Sequence, residues 1–133
     1  YRQYAPYEVI STAYISAAEL VRLKMIEEML DIYYNRGGFS YTIAYLIETV
    51  GAGAFRFYEK LADFYYTSGF QHRDRKKDDQ YRILLAFART LAQERDEPAI
   101  EETALKMLTR DAEASMNPEN LKRFLRKGWE IRR

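Results

Sequence analysis

Apolar positions recur at helical spacing along most of the chain, and the longest such stretch runs from Ser16 to Gly38. At 100° per residue its polar side chains gather in one narrow stripe, and apolar side chains fill more than half of the circumference. Ser16 and Glu19 have the spacing of a capping box, and the two glycines at positions 37 and 38 are typical of a helix end. The pattern predicts one long helix, and its wide apolar arc predicts that this helix lies at the centre of the domain.

Further amphipathic stretches predict shorter helices. They are Tyr41–Val50 with Ser40 as its cap, Ala54–Ser68, Asp79–Gln93, Pro98–Ala114, and a last helix that Asn117 caps and Pro118 opens. At the other end, Pro6 and the β-forming residues within Tyr4–Tyr14 predict a short extended arm. The predicted fold class is all-α: a five- to six-helix bundle with a short extended N-terminal arm. Residues 1–133 are predicted to form a single helical domain.

Composition narrows the classes of protein to which the chain can belong. With 21 basic and 20 acidic residues the net charge is +1, which argues against a general attraction to polyanions. The absence of cysteine excludes disulfides, thiolate-bound zinc or iron–sulfur clusters and thiol nucleophiles within these residues. No apolar run approaches the roughly 20 residues that span a bilayer, and we predict a cytoplasmic location. Because the chain starts at Tyr1 and not at Met, we expect a fragment of a longer protein.

No group of residues in the sequence has the spacing of a catalytic or metal-binding motif. His72 is the only histidine, so the paired Glu-x-x-His motifs of di-iron bundles are missing. The adjacent carboxylates at 27–28 and 101–102 point to different helix faces. Gly51-Ala52-Gly53 lacks the third glycine and the preceding strand of a dinucleotide loop. We therefore predict no catalytic, cofactor-binding or metal-binding residue in this chain.

Two basic clusters are candidate nucleic-acid sites. In the connector Gln71–Asp79, three aspartates largely neutralise four basic residues, which is typical of a solvated loop. The C-terminal cluster is more strongly basic and comprises Lys122, Arg123, Arg126, Lys127, Arg132 and Arg133. Binding of nucleic acid through this end predicts salt-sensitive affinity that is lost on removing residues 122–133. We rank this function last.

Arg22 and Asp111 are the two charged residues that interrupt an apolar helix face, and they are the structural or interface candidates. Burying either charge alone is costly. Three interpretations stay open: the two side chains pair with each other, one of them faces a partner domain outside the chain, or both reach solvent. If Arg22 is buried, reversing its charge should sharply lower the melting temperature.

Three stretches carry a family resemblance: PYEVISTAYISAAELVRLKMIEEMLDIYYNRGGF, FRFYEKLADFYYTSGF and YRILLAF. Over roughly Tyr4–Asp111 the chain resembles the DUF4080 domain, which follows the catalytic barrel in a group of cobalamin-binding-type radical SAM proteins. In such proteins a Rossmann-like cobalamin-binding domain precedes the barrel. A Cys-x-x-x-Cys-x-x-Cys loop of the barrel holds a [4Fe–4S] cluster that cleaves S-adenosylmethionine.

The resemblance implies an accessory domain, not a catalytic one. The parent protein would be a radical SAM Fe–S oxidoreductase with a [4Fe–4S] cluster, S-adenosylmethionine and possible cobalamin as cofactors, none of which this chain is expected to hold. Its catalytic residues cannot be transferred, because the chain has no cysteine and His72 lacks the cobalamin signature around it. The expected partner is the barrel of the same parent chain.

The sequence is therefore compatible with two functions. The favoured one is a helical accessory domain that packs on the barrel and shapes substrate access; the alternative is an autonomous interaction module that docks a protein through its Tyr- and Phe-rich surface. If a barrel covers part of the long helix, this chain by itself should expose apolar surface along Val21, Met25, Met29 or Ile32.

Overall fold

The structure, a computed structural model, describes residues 16–70 and 76–131, which are helical and contain no strand. The helices are α1 (Ala17–Leu30), α2 (Ser40–Val50), α3 (Gly53–Ser68), α4 (Lys77–Arg95), α5 (Pro98–Ser115) and α6 (Pro118–Lys127). A π-helical turn, Asp31–Asn35, extends α1. The all-α class and the six-helix bundle are confirmed for this part of the chain, and the predicted arm Tyr4–Tyr14 lies outside it.

Side-chain caps set the beginning of two helices as the sequence predicts. The Ser16 hydroxyl accepts the backbone N–H of Glu19 at 3.1 Å, and the Asn117 side chain accepts that of Asn120 at 2.8 Å. Each bond satisfies one of the N–H groups that the first turn of a helix leaves without a partner. The predicted cap at Ser40 is wrong: Ser40 is the first residue of α2, and Phe39 before it supplies no side-chain bond.

The stretch from Ser16 to Gly38 is not the single α-helix that the sequence predicts. At its C-terminal end the hydrogen-bond pattern widens, and the Arg36 N–H donates to the carbonyl of Asp31 five residues earlier, at 3.0 Å. This is the spacing of a π-helix, which inserts one extra residue per turn. The wider turn buries Ile32 and Tyr33 in the core while Tyr34 stays on the surface.

The central helix of the bundle is α4, which corrects the expectation for α1. Ten residues of α4 are buried, including the polar Gln80 and Arg82, whereas α1 buries only Ile26 and Met29. Arg82 is accommodated because its guanidinium donates to Asp79 at 3.1 Å and to the Gly128 carbonyl at 2.8 Å. The apolar arc of α1 therefore predicts that other residues cover part of this helix, but it does not predict how much of the helix length they cover.

The helices pack around one continuous core. The tight turn at Asp96, where φ is 53°, joins α4 to α5, and these two helices form the most extensive pair. α2 packs on α5, α3 packs on α1 and α2, and α6 packs on α5. Edge-to-face contacts link α3 to α4 through Phe57 and Phe87 at 5.8 Å, and the Tyr81 and Phe124 rings join α4 to α6.

Candidate functional site

Arg22 lies at the surface between α1 and α3. Its guanidinium donates to Asp63 at 2.9 Å and lies 3.3 Å from a Glu59 oxygen. The side chain of Arg22 is 46% exposed, so water screens both ion pairs. Glu59 also receives a bond from Arg56, and this bond, followed by the charges of Arg22 and Arg56, lowers the pKa of its carboxyl group.

Asp111 is buried, with 3% of its surface exposed, and it caps the beginning of α2 from another helix. Its carboxylate accepts the backbone N–H of Tyr41 at 3.1 Å and the N–H of Thr42 at 2.9 Å. The Thr42 hydroxyl donates to the same carboxylate at 2.6 Å. These three donors compensate for the burial of the charge and supply the cap that Ser40 does not.

The structure does not bring Arg22 and Asp111 together. Arg22 pairs with residues of α3, and Asp111 bonds to the first turn of α2. The interpretation that both reach solvent fits Arg22 but not Asp111. Asp111 is thus a structural residue, whereas Arg22 lies on an exposed surface.

That surface is the first half of α1. Every residue from Ser16 to Lys24 is exposed, although Leu20, Val21 and Leu23 are apolar and Val21 is 53% exposed. Scattered apolar residues on a surface are normal, but here Leu20, Val21 and Leu23 lie within about one turn of one helix. The second half of α1 behaves differently because Ile26 and Met29 are in the core.

A shallow apolar cavity of about 460 Å³ lies along this exposed part of α1. We call its apolar lining the α1–α3 face: Ala18, Val21 and Met25 of α1 with Ala62 and Tyr66 of α3. Glu19, Arg22 and Asp63 form a charged rim. An apolar floor within a charged rim is the usual anatomy of a protein–protein contact.

The predicted apolar patch on α1 is therefore present in part. Val21 is exposed and Met25 is half-buried, as expected for a face that a partner domain outside this chain would cover. The expected exposure is not found at Met29 and Ile32, which are 1% and 8% exposed and pack in the core. The difference arises because Met29, in the second half of α1, and Ile32, in the π-helical turn, both belong to the buried core.

A second apolar depression lies between the π-helical turn, α2 and α3, and has a volume of about 420 Å³. Sequence reasoning missed it, because its walls come from three separate segments. No charged residue lines this depression, which we call the tyrosine groove. Its walls include Leu30, Tyr34, Ile43, Ala44, Ile47 and Tyr58.

Tyr58 is the unusual residue of the tyrosine groove. It is 3% exposed, and its hydroxyl is the one buried side-chain polar atom in the described part of the chain without a hydrogen-bond partner. Leaving such a group unpaired costs about 1–3 kcal/mol. Burial raises the pKa of the Tyr58 hydroxyl, and the nearby Tyr34 raises it further. The group therefore stays protonated at neutral pH and is available as a donor.

The remaining sequence candidates lie at the surface or outside the described residues. Lys122, Arg123, Arg126 and Lys127 are exposed on α6, whereas His72 and the last two arginines fall in stretches that the structure does not describe. Within residues 16–70 and 76–131, no three His, Asp or Glu side chains are grouped so that they could hold a metal ion. None of the helices in these two ranges has the length and apolar character required to cross a bilayer.

Comparison with known proteins gives one family. A search of curated proteins and a search of solved structures found no match. The family described as a protein of unknown function (DUF4080) matches residues 1–132, which is nearly the whole chain. The chain therefore belongs to the DUF4080 family.

Proposed function

We propose that the chain is a non-catalytic accessory domain of a radical SAM Fe–S oxidoreductase that also has an upstream cobalamin-binding domain. In this proposal the domain packs on the catalytic barrel and shapes access to its cavity. The resemblance to domains that follow radical SAM barrels suggests this context, whereas the family match by itself gives a protein of unknown function. The observation that carries the proposal is the exposed apolar first half of α1, which leaves Leu20, Val21 and Leu23 in water.

The cofactor chemistry of such an enzyme has to reside elsewhere in the parent protein. A [4Fe–4S] cluster of this class is held by three cysteine thiolates, and the chain has none. The donor set of this domain therefore does not fit the cluster, and no catalytic step is assigned to its residues. Its contribution is the shape and charge of a docking surface.

The α1–α3 face has the features that a barrel surface would need from this domain. Val21, Met25 and Tyr66 supply apolar area, and the Arg22–Asp63 ion pair at its edge supplies orientation through charge. Burial of such a face is worth about 25 cal/mol per Å² of apolar surface. The same features also suit another protein partner, which is the alternative function of an autonomous interaction module.

The sequence of the complete gene and the purified parent protein test the proposal. We expect codons for a Cys-x-x-x-Cys-x-x-Cys motif upstream of Tyr1, and an iron–sulfur cluster in the parent after anaerobic reconstitution with iron and sulfide. A gene without the cysteine triad would exclude the radical SAM assignment. Recovery of a partner other than a barrel in a pull-down, with loss of recovery in Val21→Glu, would favour the interaction module.

A further inference from the structure

We propose that the tyrosine groove is a binding site for a small, uncharged, largely apolar molecule that carries one hydrogen-bond acceptor, and that Tyr58 donates to this acceptor. The inference is independent of docking on a barrel, since it concerns a different surface of the domain. The size of the groove, the residues that line it and the unpaired Tyr58 hydroxyl are three separate observations that point to the same class of ligand.

The size and lining determine the body of the ligand. A volume of about 420 Å³ falls within the range of small-molecule sites, roughly 300–1,000 Å³. The walls are aliphatic and aromatic, with Leu30, Ile43 and Ile47 beside the ring of Tyr34. Because no lysine, arginine or carboxylate lines the groove, a charged ligand would lose its hydration without gaining a counter-charge.

The unpaired hydroxyl determines the polar group of the ligand. The Tyr58 O–H has no acceptor among the described residues, and a buried donor gains most from the first acceptor that reaches it. A carbonyl or ether oxygen meets this requirement. A hydrocarbon would fill the groove but leave the hydroxyl unpaired.

We expect access to the hydroxyl to depend on Tyr34, which lines the same groove. The Tyr58 hydroxyl has almost no solvent-exposed surface, whereas Tyr34 in the same groove is 71% exposed. Exposed side chains change rotamer within picoseconds to nanoseconds. A change of rotamer at Tyr34 would let a ligand oxygen approach Tyr58. The π-helical turn at Asp31–Asn35, a deviation that is frequent at functional sites, is what places Tyr34 here.

Binding of three matched naphthalenes to the 133-residue chain tests the proposal by ¹H–¹⁵N NMR titration. The probes are 2-acetylnaphthalene, which has one acceptor, 2-ethylnaphthalene, which has none, and 2-naphthoate, which is charged. We expect saturable shifts at the groove residues with 2-acetylnaphthalene, and weaker binding of the other two probes.

Two variants and one control separate binding in the groove from non-specific adsorption. Tyr58→Phe should weaken binding of 2-acetylnaphthalene about fivefold and leave 2-ethylnaphthalene unchanged, because only the hydrogen bond is lost. Ala44→Trp, at an exposed position in the groove wall, should abolish binding of both. Ala99→Trp, at an exposed position on α5, is the control and should change neither affinity.

Four results would overturn the proposal. The first is shifts that do not saturate or that map away from the groove. The second is equal affinity of Tyr58→Phe and wild type for 2-acetylnaphthalene, and the third is binding of 2-naphthoate as tight as that of this ketone. The fourth is a concentration-dependent dimer that Ala44→Trp disrupts. The last result would assign the groove to a second copy of the chain.

Discussion

Asp111 shows how one residue on one helix can determine where another helix begins. The α2 helix lacks a side-chain cap of its own, and Asp111 satisfies the N–H groups of Tyr41 and Thr42 from α5. The carboxylate is also close to the positive end of the α2 dipole, where a negative charge is favourable. The cost of its burial is thus offset by three donors and a helix terminus.

Removal of the Asp111 carboxylate should therefore destabilise the whole domain. We expect Asp111→Ala to lower the free energy of unfolding by about 2–4 kcal/mol, because it leaves the buried N–H and hydroxyl of Thr42 and the partly buried N–H of Tyr41 without this acceptor. Asp111→Asn should lose less, since its amide oxygen still accepts. Urea denaturation measures both. Glu113→Ala, at an exposed position on the same helix, is the control; an equal loss in that variant would contradict the capping role.

Arg22 should contribute little to stability, in contrast to Asp111. Its ion pairs with Asp63 and Glu59 are at the surface, and exposed pairs of this kind contribute up to about 1 kcal/mol. We expect Arg22→Ala to change the free energy of unfolding by less than this amount and to have even less effect in about 1 M salt. A sharp fall in the melting temperature of Arg22→Glu would show instead that the residue is buried.

Tyr58 and Tyr81 form a matched pair of buried tyrosines with opposite hydrogen-bond status. The Tyr81 hydroxyl donates to the Gly38 carbonyl at 2.7 Å and bonds to Ser115, whereas the Tyr58 hydroxyl has no partner. Tyr58→Phe should leave the free energy of unfolding unchanged or raise it, because no bond is lost. Tyr81→Phe should lower it by about 1 kcal/mol. Thermal unfolding at pH 7 compares the two variants, and a larger loss in Tyr58→Phe would contradict the unpaired state.

The same two tyrosines make the domain sensitive to alkaline pH. Burial raises the pKa of both hydroxyls above the ordinary value of 10.0. Above pH 10 the unfolded chain releases these protons while the folded chain keeps them, so stability falls as pH rises. We expect Tyr58→Phe to lose less stability than wild type between about pH 9 and 11. An identical pH dependence in the two proteins would exclude a contribution from Tyr58.

At the scale of the element, α1 consists of two halves with different environments. Its second half packs in the core through Ile26 and Met29, and its first half is exposed on all sides. The side-chain cap at Ser16 fixes where the helix begins, but it provides no cover for Leu20, Val21 or Leu23. Apolar side chains that stay in water contribute no burial free energy to the fold, so we expect a partner surface to cover this half of the helix.

Core and exposed positions of α1 should therefore respond differently to truncation. Met29→Ala should lower the free energy of unfolding by about 2–5 kcal/mol, as for other buried large-to-small substitutions. Val21→Ala, two turns earlier, should change it by less than about 0.5 kcal/mol. Urea denaturation of both variants provides the comparison. A loss at Val21 as large as that at Met29 would mean that the first half of α1 is covered within this chain.

Local signals predicted the elements well. The caps at Ser16 and Asn117 and the apolar positions of α4 from Tyr81 to Leu91 were placed correctly because they depend on nearby residues only. The π-helical turn at Asp31–Asn35 was not predicted, since its residues fit an α-helix equally well. Which helix is central could not be predicted either, because an apolar arc does not identify the surface that covers it.

At the scale of the molecule, the features that matter most come from contacts between distant segments. Asp111 meets Thr42 across 69 positions in sequence, and the tyrosine groove combines the π-helical turn, α2 and α3. No local pattern in the sequence marks either of them. The two apolar depressions differ in kind: the α1–α3 face is open with a charged rim, and the tyrosine groove is uncharged and contains the unpaired Tyr58 hydroxyl.

We propose that a catalytic barrel covers the first half of α1, and hydrogen–deuterium exchange measures whether these residues are protected in the longer protein. Exchange is compared between the 133-residue chain and the protein encoded by the complete gene, with α6 as the internal reference. We predict slower exchange in the longer protein for residues 17–25 and around Tyr66, with exchange of residues 122–127 unchanged. Equal exchange of residues 17–25 in the two proteins would contradict docking through the α1–α3 face.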